Sequence, residues 1–317
     1  SVIMQNKKME SIKLFSHNDL DGKSPYILLK YFYPNAQIDY SFCNYGEINE
    51  KVEDFIFTDE FLNFDAVYFT DISVSEEIAE KLQNLADTTD IEIRLFDHHK
   101  TAEGLNQFPF CKVMIEDDGE LTCGTRLFHK FLVEERGFES PHVVDVFVKY
   151  VNDYDTWLWK DKYQYELPNE WNDLFHVYGK DFPKKVLEKF KKGSMKFDAT
   201  DKIILRFMKN EKKAYVFGRT RETFVREIGA EQCAIVFAER FTDDVTSKLA
   251  EIHPECPVQI VIGQNGMSFR CKGEKTIDLT KIAALFGGGG HVKAAGASVD
   301  KDVKEAYLDM ILEKARM

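Results

Sequence analysis

The sequence has no long apolar run. Nothing in its 317 residues approaches the ~20 consecutive apolar positions that a membrane-spanning helix needs, so a membrane protein of that kind is excluded. The stretch from Ser1 to Glu10 is polar and lacks the apolar core of a secretion signal, so secretion is not expected. Cysteine is sparse. Cys43, Cys111, Cys123, Cys233, Cys256 and Cys271 form no close pairs and no zinc spacing, a pattern that fits reduced thiols in a cytoplasm. Positive charge is in deficit. Against 54 acidic residues stand 42 basic ones, for a net charge of −12. A protein that grips long nucleic acid through many phosphates is usually basic somewhere, so a long-duplex binder is disfavoured. A small anionic substrate held by bound metal ions is not, because the ions invert the local field. No internal repeat of fixed period is present.

What remains is the composition of an ordinary soluble globular chain, 44% hydrophobic and 30% charged, long enough for one large domain or two ordinary ones. Short apolar runs at Ile12 to Phe15, Gln37 to Cys43, Ala66 to Thr70 and Ile91 to Phe96 read as strands. Helical stretches follow from Ser24, read as a cap, to about Tyr33, and from Ser75 to about Leu85. Strands alternating with helices imply βαβ units and a mostly parallel sheet. In such sheets ligands sit beyond the carboxyl ends of the strands.

Three of the strands end in groups that are costly to bury without partners. The first delivers His17, Asp19 and Asp21, the third Asp71, and the fourth Asp97, His98 and His99. A lone histidine pair is most often a polar loop; three strand ends of this kind are hard to produce by chance. A near-continuously apolar helix, Pro141 to Asn152, adds Asp153 and Asp155 at its end. His17, Asp19, Asp21, Asp71, His98 and one of Asp153 or Asp155 make a mixed carboxylate and imidazole set. Two octahedral divalent ions sharing one bridging carboxylate would use such a set, and hard oxygen ligands with a few imidazoles suit manganese better than a thiolate metal. Such a pair can activate a water and stabilise the leaving oxygen of a phosphoryl displacement.

Farther along, Leu121 to Glu135, Leu167 to Tyr178 and Asp181 to Lys192 read as helices. Ala199 to Ile228 reads as a long charged helical linker. A second unit follows, with strands at Cys233 to Ala238, Val258 to Ile262 and Met267 to Cys271, and helices at Asp244 to Ile252, Asp278 to Phe286 and about Asp302 to Ala315. Before the last helix stands Gly287-Gly288-Gly289-Gly290-His291. Glycines let backbone N–H groups approach an anion closely and permit positive φ. A bare glycine run is equally a flexible loop. The specific part is the histidine that follows, with the small residues Ala294-Ala295-Gly296.

Ser-His-Asn-Asp-Leu-Asp-Gly at 16–22, Asp71, Asp97-His98-His99 and Asp-Thr at 155–156 resemble the four motifs of the DHH phosphoesterase family. The glycine run with His291 and Ala-Ala-Gly at 294–296 is similar to the C-terminal domain that accompanies its bacterial members. The resemblance spans nearly the whole chain, with five motifs in the family order. It implies an α/β architecture with a parallel-sheet catalytic domain over 1–195, a helical linker over 196–228 and a smaller α/β substrate-binding domain over 229–317. By the same resemblance, His17, Asp19 and Asp71 would hold one manganese and Asp21, Asp71, His98 and Asp155 a second, with Asp71 bridging. Asp155 is preferred to Asp153 because the aspartate before threonine matches the family pattern. His99 would contact the scissile phosphate, Asp97 would orient a histidine, and His291 with Gly288, Gly289 and Gly290 would bind the substrate.

The implied activity is manganese-dependent hydrolysis of short oligonucleotides to mononucleotides, with a linear dinucleotide such as pApA a natural substrate. The acidic charge and a length that two domains fill agree with that. A RecJ-like single-strand DNA exonuclease is the alternative, and a cyclic-dinucleotide phosphodiesterase comes third. The Ser-Arg-Lys-Lys pattern of the related pyrophosphatases is missing. A binding module without catalysis would have lost ligands, and all are present. The partner implied is a short single-stranded oligonucleotide or dinucleotide; a homodimer is compatible with the sequence.

Overall fold

The computed structural model describes residues 8–316. Residues 1–7, part of the polar stretch that argues against secretion, lie outside them. The chain divides into two units, Ser1–Leu205 and Arg206–Met317. Among the described residues no helix is long and apolar enough to cross a membrane, and all six cysteines are free.

The first unit is built on a parallel sheet of β1 (Ser11–Ser16), β2 (Gln37–Phe42), β3 (Ala66–Thr70), β4 (Glu92–Asp97) and β5 (Cys111–Val113), in the order β2-β1-β3-β4-β5. Its central strands are buried on both faces, as parallel strands flanked by helices must be. Successive side chains alternate between two cores. Ile12, Leu14 and Tyr68 enter one with helices α1 (Leu20–Phe32), α4 (Gly124–Glu134), α5 (His142–Asp155), α6 (Leu167–Tyr178) and α7 (Phe182–Lys192). Phe15, Val67 and Phe69 enter the other with α2 (Ile48–Phe57) and α3 (Glu76–Thr88). Chain order reverses between β1 and β3. This is the switch point at which doubly wound sheets open a crevice beyond their strand ends.

Helix α1 begins earlier than its sequence suggests. Ser24 does not cap it; Asp19 does, accepting from the Gly22 N–H at 2.7 Å, while Ser24 donates back to the Leu20 carbonyl within the helix. The misleading signal is Pro25, which looks like a first-turn proline but lies inside the helix. Proline cannot donate to the carbonyl four residues earlier, that of Asp21. The Thr125 hydroxyl does so instead, at 2.7 Å.

The second correction concerns the linker. The helix there, α8 (Ala199–Thr220), stops before Phe224–Ile228, which is a strand, β6. It pairs antiparallel with β7 (Glu231–Phe237) across a two-residue turn, Gly229-Ala230, with φ of 56° and 68°. Both central residues at positive φ match the twist of a hairpin, and glycine supplies the first cheaply. The aromatic and β-branched start, Phe224-Val225, outweighs the surrounding charge that suggests a continued helix. The sheet continues through β8 (Val258–Ile262), β9 (Gly266–Arg270), β10 (Gly289–Gly290) and β11 (Ala294–Ser298), in the order β10-β11-β9-β8-β7-β6. Helix α9 (Thr242–Ile252) packs on one face beside Val216 of α8, and α10 (Leu279–Ala284) on the other.

Phe147 of α5 is fully buried and meets the rings of Phe182 and Phe190 at 6.5 and 5.5 Å. Phe147→Ala is expected to cost about 3–5 kcal/mol of stability. Urea unfolding checks this: the midpoint should fall with no change in slope.

Candidate metal centre

The carboxyl ends of β1, β3 and β4 bring the predicted groups together. His17 and Asp19 follow β1, and His17 Nδ1 lies 3.2 Å from Asp19 Oδ2 and 3.8 Å from Asp71 Oδ2. Asp71 follows β3, with φ at 56°, a left-handed backbone that a non-glycine residue adopts at a cost. Three contacts enforce it. Its N–H donates to the Phe96 carbonyl at 2.9 Å. Ser16 Oγ donates to the Thr70 carbonyl at 2.6 Å, tying β1 to β3 just beneath. Gly124 presses against it, so close that a Cβ there would lie 2.9 Å from Asp71 N. Gly22, the last residue of the first motif, backs His17 in the same way, with a Cβ position 1.9 Å from the His17 carbonyl oxygen.

Asp71 directs Oδ2 towards His17 and Oδ1 towards His98, whose Nε2 is 2.9 Å away. His98 Nε2 also lies 3.2 Å from Asp155 Oδ2 and 3.3 Å from Asp21 Oδ2. Ligand atoms of His17, Asp19 and Asp71 lie within 4.8 Å of one another, and so do those of Asp21, His98 and Asp155. Asp153 is elsewhere. Its buried carboxylate accepts from Lys149 Nζ at 2.6 Å and from the Tyr165 hydroxyl. Asp97 is held by the Ser73 hydroxyl at 2.5 Å on one oxygen, and on the other by the His98 N–H at 2.8 Å and His99 Nδ1 at 2.5 Å. The histidine side chain it pairs with at this distance is His99.

His291 and the glycines belong to the second unit, where the run is a paired strand rather than a loop. Gly289 and Gly290 form β10 against Gly296 and Ala295, and the chain reverses through His291, whose N–H donates to the Ala294 carbonyl at 2.8 Å. The pairing itself demands glycine. A Cβ on Gly288 would sit 2.0 Å from the Gly296 oxygen, and Gly290 holds φ at 136°.

No family model matches the chain. Over 311 residues, covering 93% of this chain and 74% of the relative, it is 32% identical to the oligoribonuclease NrnB of Bacillus subtilis. The chain belongs to the DHH phosphoesterase family. Its fold is shared by solved structures at much lower identity. RecJ from Thermus thermophilus, in complex with Mn2+, matches at a TM-score of 0.52 and 14% identity, covering 97% of this chain and 52% of that one. The pGpG-specific phosphodiesterase PggH from Vibrio cholerae matches at 0.50 and 12%, covering 96% and 98%.

The supports of this DHH site include residues that carry no sequence signal. Asp21 is buried and accepts from the N–H groups of Gly124 and Thr125 at 2.9 and 2.7 Å, at the positive N-terminus of α4. Asn152 fixes that same terminus, accepting from the Cys123 N–H at 2.8 Å. Tyr45, Ser73, Thr125 and Asn152 all escape a reading of the sequence. Only Asn152 has a cue, its place in the fourth motif; the others are ordinary polar residues far apart in sequence.

The donor set fits a divalent cation. Two buried atoms, His17 Nδ1 and Asp71 Oδ2, lack a hydrogen-bond partner, an expense that a cation between them would remove. Burial pushes Asp71 and Asp155 well above the usual carboxylate range, and the neighbouring carboxylates add to it. His98 is carried the other way. Burial opposes its charge, but the hydrogen bond to Asp21 and the charges of Asp155, Asp21 and Asp97 hold its pKa up to about 10. Burial and the Asp21 and Asp155 charges push up the nearby Cys123 thiol, so it offers no thiolate.

At neutral pH the metal-free cluster therefore keeps protons, on His98 above all, that a divalent cation must displace. Binding should release protons, and affinity should rise as pH increases from about 6 towards 9. Titration calorimetry of magnesium in buffers of different ionisation enthalpy checks the sign; binding that weakens as pH rises would contradict it. The two aspartates of the fourth motif separate by metal content: Asp155→Ala should lose bound metal, and Asp153→Ala should keep it.

Proposed function

We propose that the chain hydrolyses short oligonucleotides and linear dinucleotides to mononucleotides, using two manganese ions. The observation that carries this is the paired ligand groups at the sheet edge, with Asp71 between them. His17, Asp19 and Asp71 would hold one ion, and Asp21, Asp71, His98 and Asp155 the other. When bound, the ions supply an activated water and neutralise charge that develops on the phosphoryl oxygens.

The remaining work falls to the chain itself. Asp97 takes the Nδ1 side of His99 and so aims Nε2 at the scissile phosphate. Burial opposes the charge of Asp97, but His99 above all, with His98 and the Ser73 hydroxyl, brings its pKa down to about 2. His291, at the turn after Gly288, Gly289 and Gly290, binds the substrate away from the bond that breaks. The 32% identity to an oligoribonuclease, across 93% of the chain, supports an oligonucleotide substrate. The net charge of −12 supports a short one, since long strands are gripped through many phosphates.

A time course on 5′-labelled RNA of two, five and twenty nucleotides with manganese tests the reading. The dimer and pentamer should be consumed to mononucleotides while the twenty-nucleotide strand outlasts both. Faster loss of the long strand, and of DNA over RNA, would favour a RecJ-like exonuclease. Asp71→Asn should lower turnover about 100-fold or more, the scale of removing one preorganised charge from a transition state, and EDTA should silence the wild type.

A further inference from the structure

One side chain in the first unit touches two of the site histidines and belongs to no motif. Tyr45 sits on the loop after β2. Its hydroxyl is 2.8 Å from His99 Nε2. Its ring lies on that of His17, with centroids 4.8 Å apart and planes at 22°, and meets His99 edge-on at 5.4 Å.

The roles of these atoms follow from what each can donate. Asp97 is acceptor-only when ionised, so His99 Nδ1, 2.5 Å from its Oδ1, carries a proton. Nε2 is paired with the Tyr45 hydroxyl. The imidazole is thus gripped at both nitrogens, in plane by Asp97 and at the tip by Tyr45, with the Tyr45 edge limiting its tilt. The His17 ring gives Tyr45 a second contact beside the imidazole.

Resting on the phosphodiesterase reading above, we propose that Tyr45 is the positioning residue of His99: its hydroxyl fixes the orientation of the imidazole that contacts the scissile phosphate. Asn44 helps to hold the loop, its side-chain carbonyl accepting from Asn18 Nδ2 at 2.9 Å. The phosphate recognised is that of any diester, since neither group reaches for a base.

Tyr45→Phe keeps the ring on His17 and removes only the hydroxyl. In full-length enzyme with manganese, its kcat/KM should fall about 3- to 15-fold, the loss of one hydrogen bond. The fall should be the same on a dinucleotide and on bis-p-nitrophenyl phosphate, with metal content unchanged. In a His99→Ala background the same substitution should cost nothing further, because the group that Tyr45 positions is gone. Losses that multiply across the two sites would overturn the proposal, as would unchanged turnover in Tyr45→Phe. The 15N spectrum of histidine-labelled protein with magnesium gives a readout independent of turnover: the His99 Nε2 signal should move in Tyr45→Phe and in no other way respond to substitutions remote from the loop. A wild type inert on both esters overturns the phosphodiesterase reading instead. The nitrogen signal then decides the Tyr45–His99 contact by itself, and an unmoved signal rejects it.

Discussion

Five carboxylates, Asp19, Asp21, Asp71, Asp97 and Asp155, gather at one edge of a parallel sheet, and the molecule is arranged to hold them there. Like charges so gathered repel strongly in a buried setting. Asp21 is reconciled to the cluster by the N-terminus of α4, whose N–H groups take both of its oxygens. Asp97 is reconciled by a serine hydroxyl, a backbone N–H and an imidazole. Asp71 and Asp155 share the one imidazole of His98, and burial with the neighbouring carboxylates still shifts both towards the neutral form.

The sheet supplies the precision. Chain order reverses between β1 and β3, and each of β1, β3 and β4 is followed directly by a proposed ligand. That much was legible. A buried strand is a short apolar run, and a histidine or aspartate directly after it has few places to go. The family motifs then assigned roles to His17, Asp71 and His98, and the geometry sets Asp155 beside His98 and Asp153 beside Lys149.

What was not legible is of two physical kinds. Contacts between distant segments leave no local trace: Thr125 reaches Asp21 across 104 positions and Tyr45 reaches His99 across 54, and neither residue is unusual in its own neighbourhood. Competing local signals also mislead. Pro25 suggests a helix start that Asp19 has already made, and charge around Phe224 hides a hairpin whose turn, Gly229-Ala230, is visible as a two-residue spacer. The glycine run before His291 suggests freedom, whereas its absence of side chains serves pairing with β11 at distances no Cβ would allow.

The hydroxyl of Thr125 on the Asp21 carbonyl has a consequence for the order in which the molecule is made. Synthesis proceeds from the N-terminus, and by His99 five of the six proposed ligands have been joined. Yet α1 then carries a proline with an orphaned carbonyl beneath it, and Asp21 has no N–H groups to receive it. Both needs are met only by residues 124 and 125, and the sixth ligand arrives thirty positions later on the helix that Asn152 ties to the same terminus. A nascent chain cut short before α4 therefore holds most of the metal-binding letters with the cluster unassembled. Closing contacts of such sequence separation is slow relative to helix formation, so docking of α4 is the event that turns a string of acidic strand ends into a centre.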